Sequence, residues 1–155
     1  MADNENKLQS FYKRCREHGL RITPQRTAIY EMLTESDKHP SAEYIYEQIK
    51  KRFPNISFDT VNRTLIKFTE IGLANQVEGY GGARRYDPNL DHHHHIHCVK
   101  CREIFDFENE NYDDLEIPPE ISKNYKVLNK RVVINAVCKR CRRRTSLKKK
   151  GRKKE

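Results

Sequence analysis

Two kinds of side chain in this 155-residue chain fall at spacings that suit metal chemistry. Cys98-Val99-Lys100-Cys101 and Cys138-Lys139-Arg140-Cys141 are two CxxC pairs separated by 36 residues, and a fifth Cys, Cys15, stands apart from both. A CxxC turn offers two sulfurs to one ion, so two such turns complete the tetrahedral four-thiolate set of a structural Zn2+ site. One CxxC alone would also suit a redox pair; two favour zinc. A site closed by four protein ligands stabilises a fold rather than catalysing a reaction.

Just before the first pair runs Asp91-His92-His93-His94-His95-Ile96-His97. In extended backbone, alternate residues share a face, so His93, His95 and His97 point one way and His92 and His94 the other. Two imidazoles at i, i+2 make half of a transition-metal site. Carboxylates added to them favour Fe2+ or Mn2+ as well as Zn2+. Asp87, ahead of the run, and Asp106, in the strand-like EIFDF, are available carboxylates. His39, beside Pro40, is a lone His between helices and by itself reads as structural. An expression tag explains the run poorly, since it is internal and continuous with a CxxC pair. No general base stands beside an open metal, and the carboxylates are better used as ligands. A metallohydrolase is therefore disfavoured and no enzymatic activity is expected.

These groups need elements to position them. Leu8, Phe11, Tyr12 and Cys15 recur at helical spacing over residues 7–18, with Gly19 as a stop. Cys15 reads there as a small core side chain. Thr23 caps a second helix with Pro24 in its first turn and Ala28, Ile29, Met32 and Leu33 inward. Ser41 caps a third, with Ile45 and Ile49 inward. Ser57 caps a fourth from Phe58 to Ile71, which buries Val61, Leu65 and Phe68 and stops at Gly72. The segments LANQVEG and ARRYD flank a Gly-rich turn and read as a β-hairpin. Helices followed by a hairpin make the winged-helix form of helix-turn-helix. The fourth helix presents Asp59, Asn62, Arg63, Ile66 and Lys67 outward, with Thr60 and Thr64 at its margins. Ser57, Thr60, Asn62 and Arg63 are the residues expected to face DNA, Asn62 and Arg63 at base edges. Arg84 and Arg85 on the hairpin suit phosphates or a narrow minor groove.

The expected fold class is α+β: a winged-helix DNA-binding domain over residues 1–84, a linker over 85–91 and a small metal-binding domain over 92–145 with the four-cysteine zinc site. A basic tail over 146–155 follows. Val, Ile, Leu and Phe number 34 of 155, enough for a small core that metal would help to hold. The net charge of +9 suggests a nucleic-acid partner, but it is unevenly spread. Residues 1–90 carry +2, residues 91–138 carry −3 and residues 139–155 carry +10. The tail suits either a solvated, disordered segment or a salt-dependent tether to nucleic acid. No apolar run spans a bilayer and MADNENKLQS is too polar for a signal peptide, so a cytoplasmic protein with reduced Cys is expected. A zinc-ribbon RNA-binding protein relying on the tail would leave the winged-helix pattern unexplained.

In combination, RITPQRTAIYEML, HPSAEYIYEQI, FPNISFDTVNRTL, RRYD, HHHHIHCVKCREIFDF and AVCKRC resemble the ferric uptake regulator family over residues 8–145. The resemblance implies a homodimeric, metal-dependent repressor of transcription bound to double-stranded DNA, in which 85–91 is a hinge and 92–145 a small α/β dimerisation domain, with structural Zn2+ on Cys98, Cys101, Cys138 and Cys141. It implies a regulatory Fe2+ or Mn2+ site on His39, Asp87, His93, His95 and Asp106, which turns His39 from structural residue to ligand. Asp106 resembles the peroxide-sensing branch, because iron sensors usually have Glu there. In that branch Fe2+-dependent oxidation of a ligand His, here His39 or His93, releases the DNA. An iron-, manganese- or zinc-responsive repressor is the alternative within the family. Three features depart from the pattern. Asn62 stands where Tyr is common. His92, His94 and Asp113 could supply part of an additional site, but Lys130 replaces its other expected His. The long basic tail is unusual.

Overall fold

The computed structural model describes residues 2–36, 38–78 and 84–144, so the expected turn at 79–83 and the tail at 146–155 lie outside the described residues. The chain divides into two compact units, Met1–Leu90 and Asp91–Glu155.

The first unit contains α1 (Ala2–Glu17), α2 (Pro24–Thr34), α3 (Ala42–Arg52), α4 (Phe58–Glu70), β1 (Asn75–Glu78) and β2 (Arg84–Asp87). Local chemistry sets the helix ends. The side chains of Thr23, Ser41 and Ser57 accept hydrogen bonds from the amides of Arg26, Tyr44 and Thr60, three caps worth about 1 kcal/mol each. At the other ends of α1 and α4, Gly19 and Gly72 take φ of +62° and +69°. The amides of Leu20 and Leu73 then turn back to the carbonyls of Cys15 and Phe68, both at 2.8 Å. This is the glycine C-terminal cap that a Cβ would strain. Phe11, Cys15, Ile29, Leu33, Ile45, Val61, Leu65 and Phe68 are fully buried, so the inward positions read from the helical periodicity form one core. Thr64, expected at a margin, is also buried and donates its hydroxyl hydrogen to the Thr60 carbonyl at 2.7 Å. β1 and β2 pair antiparallel, with Val77 opposite Arg85. Residues 85–87, expected in the linker, thus belong to a strand, because RRYD continues the hairpin's ladder.

The second unit is a three-stranded sheet of β3 (His94–Cys98), β4 (Ile104–Phe107) and β5 (Val133–Ala136), in the order β4-β3-β5. β3 runs antiparallel to β4 and parallel to β5, so His95 lies between Asp106 and Val133. Two short helices, α5 (Glu110–Asp113) and α6 (Pro119–Asn124), lie between β4 and β5, and residues 139–144 are helical. Its buried residues are Cys98, Ile104, Cys141, His93, His94, His95 and His97. Little of that is hydrocarbon. Buried imidazoles and thiols are costly unless they are partnered, so the contacts they make with one another and with nearby carboxylates matter to this unit.

Candidate metal centres

The two CxxC turns meet. Cys98, Cys101, Cys138 and Cys141 offer sulfurs that all lie within 4.8 Å of one another, and none is in a disulfide. The first pair begins on the last residue of β3 and the second follows β5; the parallel β3–β5 ladder, ending at Cys98↔Ala136, brings the two turns to the same end of the sheet. The amides of Cys101 and Cys138 point at the Cys98 sulfur, at 3.5 and 3.4 Å. They hold its pKa down to about 6, the Cys101 amide contributing most. Burial, followed by the neighbouring sulfurs, pushes Cys141 up to about 12. Four thiols so close cannot all ionise unless a cation shares the space, and this donor set fits tetrahedral Zn2+. Glu103, which the sequence patterns did not single out, receives Arg140 at 2.9 Å and lies 3.7 Å from the Cys101 sulfur. No spacing rule marks it.

Two smaller sets combine imidazole and carboxylate. In the first unit, His39 Nε2 lies 3.6 Å from Asp87 Oδ2, and both side chains are buried. The Asp87 carboxylate is oriented by the Asn89 amide, which donates to Oδ1 at 2.8 Å. In the second unit, His93 Nε2 and His95 Nε2 are 3.0 Å apart, and Asp106 Oδ1 lies 3.6 and 3.5 Å from them. His93 Nδ1 lies 2.7 Å from the Asp91 carbonyl, a distance at which it donates. That leaves a lone pair on Nε2, facing His95. A hydrogen bond of this kind fixes the tautomer a metal ligand needs. Neutral imidazoles with carboxylate are a donor set suited to Fe2+ or Mn2+.

The opposite face of the strand carries a third cluster. Asp113 Oδ1 lies 2.8 Å from His92 Nε2 and 3.1 Å from His94 Nε2. The alternation read from the histidine run therefore holds, with odd-numbered rings on one side and even-numbered rings on the other. His94 Nδ1 accepts a hydrogen bond from the Val132 amide at 3.2 Å. Lys130 directs its ammonium to the Leu115 carbonyl.

Among the residues expected to face DNA, Ser57, Thr60, Arg63 and Arg84 are exposed and Asn62 is half-buried. Arg63 Nε is bonded to Asp59 Oδ2 at 2.8 Å, one turn back on α4. Ser57 and Thr60 share the α4 cap, their hydroxyls 2.9 Å apart. Arg85 differs from Arg84: it is half-buried, and its Nη1 donates to the His39 carbonyl at 3.4 Å.

A helix-hairpin unit followed by a sheet built around clustered thiols and imidazoles defines a metal-binding winged-helix protein. The chain belongs to the ferric uptake regulator family, whose model matches residues 17–146. It is 36% identical over 138 residues to the peroxide-responsive repressor PerR of Staphylococcus epidermidis, covering 89% of this chain and 92% of the relative. Identity to the corresponding repressor of Staphylococcus aureus strain Mu50 is 35% over 137 residues, covering 88% and 93%. Among solved structures, the Helicobacter pylori ferric uptake regulator, which has three functional metal binding sites, superposes with a TM-score of 0.71 at 26% identity, over 89% of this chain and 93% of that one. The iron-containing ferric uptake regulator of Francisella tularensis gives 0.68 at 27% identity, over 80% and 96%. No helix of the described residues is long and apolar enough to cross a membrane.

Proposed function

We propose that this family member is a homodimeric, cytoplasmic repressor whose DNA binding depends on a regulatory metal and is lost on exposure to hydrogen peroxide. The observation that carries the peroxide reading is Asp106 facing His93 and His95, at the position where iron sensors usually have Glu. The PerR relatives support it. In this reading Cys98, Cys101, Cys138 and Cys141 hold Zn2+, which stabilises the second unit. His39, Asp87, His93, His95 and Asp106 are the ligands of the regulatory ion. Bound Fe2+ supplies the redox chemistry by which peroxide adds oxygen to a ligand imidazole, His39 or His93; Mn2+ occupies the same ligands without it.

His39 and Asp87 belong to the DNA-reading unit, and His93, His95 and Asp106 to the sheet unit. Ligands drawn from both limit the orientations open to the reading unit, with residues 88–91, the part of the expected linker beyond β2, as the hinge. Metal affinity and DNA affinity are then linked, and the linkage is reciprocal. Arg63 and Asn62 read base edges, while Ser57, Thr60 and Arg84 fix register on the backbone. A second copy of this chain pairs through the sheet unit, where β5 is an edge strand and Tyr125, Leu128 and Val133 are exposed apolar residues. Peptide mass spectrometry after peroxide treatment tests the sensing chemistry. Added oxygen on His39 or His93 is expected in Fe2+-loaded protein and not in Mn2+-loaded protein; unmodified histidines in both would overturn it.

The alternative is an iron-responsive repressor. The third cluster of His92, His94 and Asp113 favours it, since iron sensors often carry an additional site.

A further inference from the structure

Alternation along β2 puts Arg85 and Asp87 on one face of the strand and Arg84 and Tyr86 on the other. The face with Arg85 and Asp87 turns toward the loop between α2 and α3, where His39 sits. His39 has a φ of +46°, a left-handed backbone that a non-glycine residue keeps only when its surroundings impose it. Three contacts from β2 do so. The Tyr86 amide donates to the Pro40 carbonyl at 3.1 Å, Ser41 forms an antiparallel bridge with Arg85, and Arg85 Nη1 donates to the His39 carbonyl at 3.4 Å. The first two are backbone contacts open to almost any sequence. The third depends on one side chain, which is half-buried, with Nε shut off from solvent and Nη1 turned to this carbonyl. Two residues further along the same strand, the Asp87 carboxylate meets the His39 ring.

We propose that Arg85 is a positioning residue for the His39–Asp87 metal half-site, rather than the DNA contact that its place on the hairpin suggests. It pins the His39 carbonyl to β2, and so sets the distance between the imidazole and the Asp87 carboxylate at the strand's end. This rests on the reading of His39 and Asp87 as ligands. Removing a group that orients a ligand without binding the ion lowers metal affinity about 10- to 100-fold. A lysine would keep the charge and a single donor nitrogen, but not the planar fork that reaches a carbonyl from the side.

The test uses full-length, zinc-loaded protein and Mn2+ as the probe, first without DNA. Arg85→Met keeps the apolar stem and removes the donors; Arg85→Gln is the second variant should the first not fold, as judged by zinc content and circular dichroism. Mn2+ affinity is expected to fall about 10- to 100-fold with zinc content unchanged, and Arg85→Lys is expected to fall between variant and parent. With Mn2+ raised to saturation, DNA binding should return to the parental level. Parental Mn2+ affinity in the folded Met or Gln variant would overturn the proposal, and so would a DNA defect that persists at saturating Mn2+. His39→Ala separates the two levels: if it too keeps parental Mn2+ affinity, the ligand reading itself has failed. If His39→Ala loses Mn2+ while Arg85→Met does not, only the role of Arg85 has.

Discussion

Cys101 and Cys138 stand 37 positions apart in the chain, yet their sulfurs lie 3.8 Å from each other. Nothing hydrophobic explains that approach. Two tight turns at the same end of a three-stranded sheet bring the sulfurs together, and the geometry is that of a shared ion. Replacing one sulfur should therefore cost far more than a surface change. Structural zinc contributes on the order of 10 kcal/mol to the folding of small metal-bound domains. Cys138→Ser is expected to lose zinc by elemental analysis and to unfold the second unit or leave the protein monomeric. A zinc-free variant that remains a folded dimer would remove the structural role.

The first unit needs no metal for its core. Leu65 is fully buried on α4 among Phe11, Ile29, Val61 and Phe68. Leu65→Ala should destabilise that unit by about 2–5 kcal/mol, the usual cost of a leucine cavity, as read by denaturant titration. A loss below about 1 kcal/mol would show that the site collapses to fill the space.

Asp106 is more exposed than the two imidazoles it faces, with 38% of its side chain accessible against 1% and 0%. Its removal should therefore disturb the regulatory set without disturbing the fold. Asp106→Ala is expected to weaken Mn2+ binding by at least about 10-fold with zinc content and thermal midpoint unchanged. Unchanged Mn2+ affinity would place the carboxylate outside the site.

On α4, the Asp59 carboxylate engages Arg63 through Nε and leaves the two terminal nitrogens of the guanidinium for a base edge. Selection from a randomised duplex pool with Mn2+-loaded protein should yield sites with a guanine that Arg63→Ala no longer distinguishes. The expected discrimination is about 1–3 kcal/mol at that position. A variant that selects the same sequence would move base reading elsewhere on the helix.

Residues 146–155 lie outside the described residues, but they hold much of the chain's positive charge. If they tether the protein to nucleic acid, deleting them should weaken nonspecific DNA binding and flatten its dependence on salt. An unaltered salt slope would leave the tail as a solvated segment.

The first unit is legible in the sequence almost residue by residue. Its caps are single side chains, Thr23, Ser41 and Ser57, followed by helical periodicity. Gly19 and Gly72 close helices where only a left-handed residue serves. The thiol cluster is legible because CxxC spacing is itself the geometry of the site. The two faces of the histidine run follow from strand alternation alone. Less can be read where chemistry depends on the pairing of distant segments. His39 carries no local sign of being a ligand, and its nearness to Asp87 arises from strand β2 docking on the loop after α2. Arg84 and Arg85 look equivalent in sequence; pairing with the Ser41 segment turns one outward and the other inward. Glu103 gains its place beside Cys101 from the turn after β3, for which no motif exists. In the second unit, α5 and α6 escape a sequence reading, being only four and six residues long and without apolar periodicity.

The central claim is that metal occupancy of a histidine–carboxylate set controls DNA binding and that peroxide acts on that set. A mobility-shift titration with DNA, run on Fe2+-loaded and Mn2+-loaded protein before and after peroxide, addresses it most directly. Both forms are expected to bind DNA before treatment, and peroxide to release only the Fe2+ form. DNA binding that persists in the peroxide-treated Fe2+ form would contradict the claim and leave a regulator that senses the metal itself.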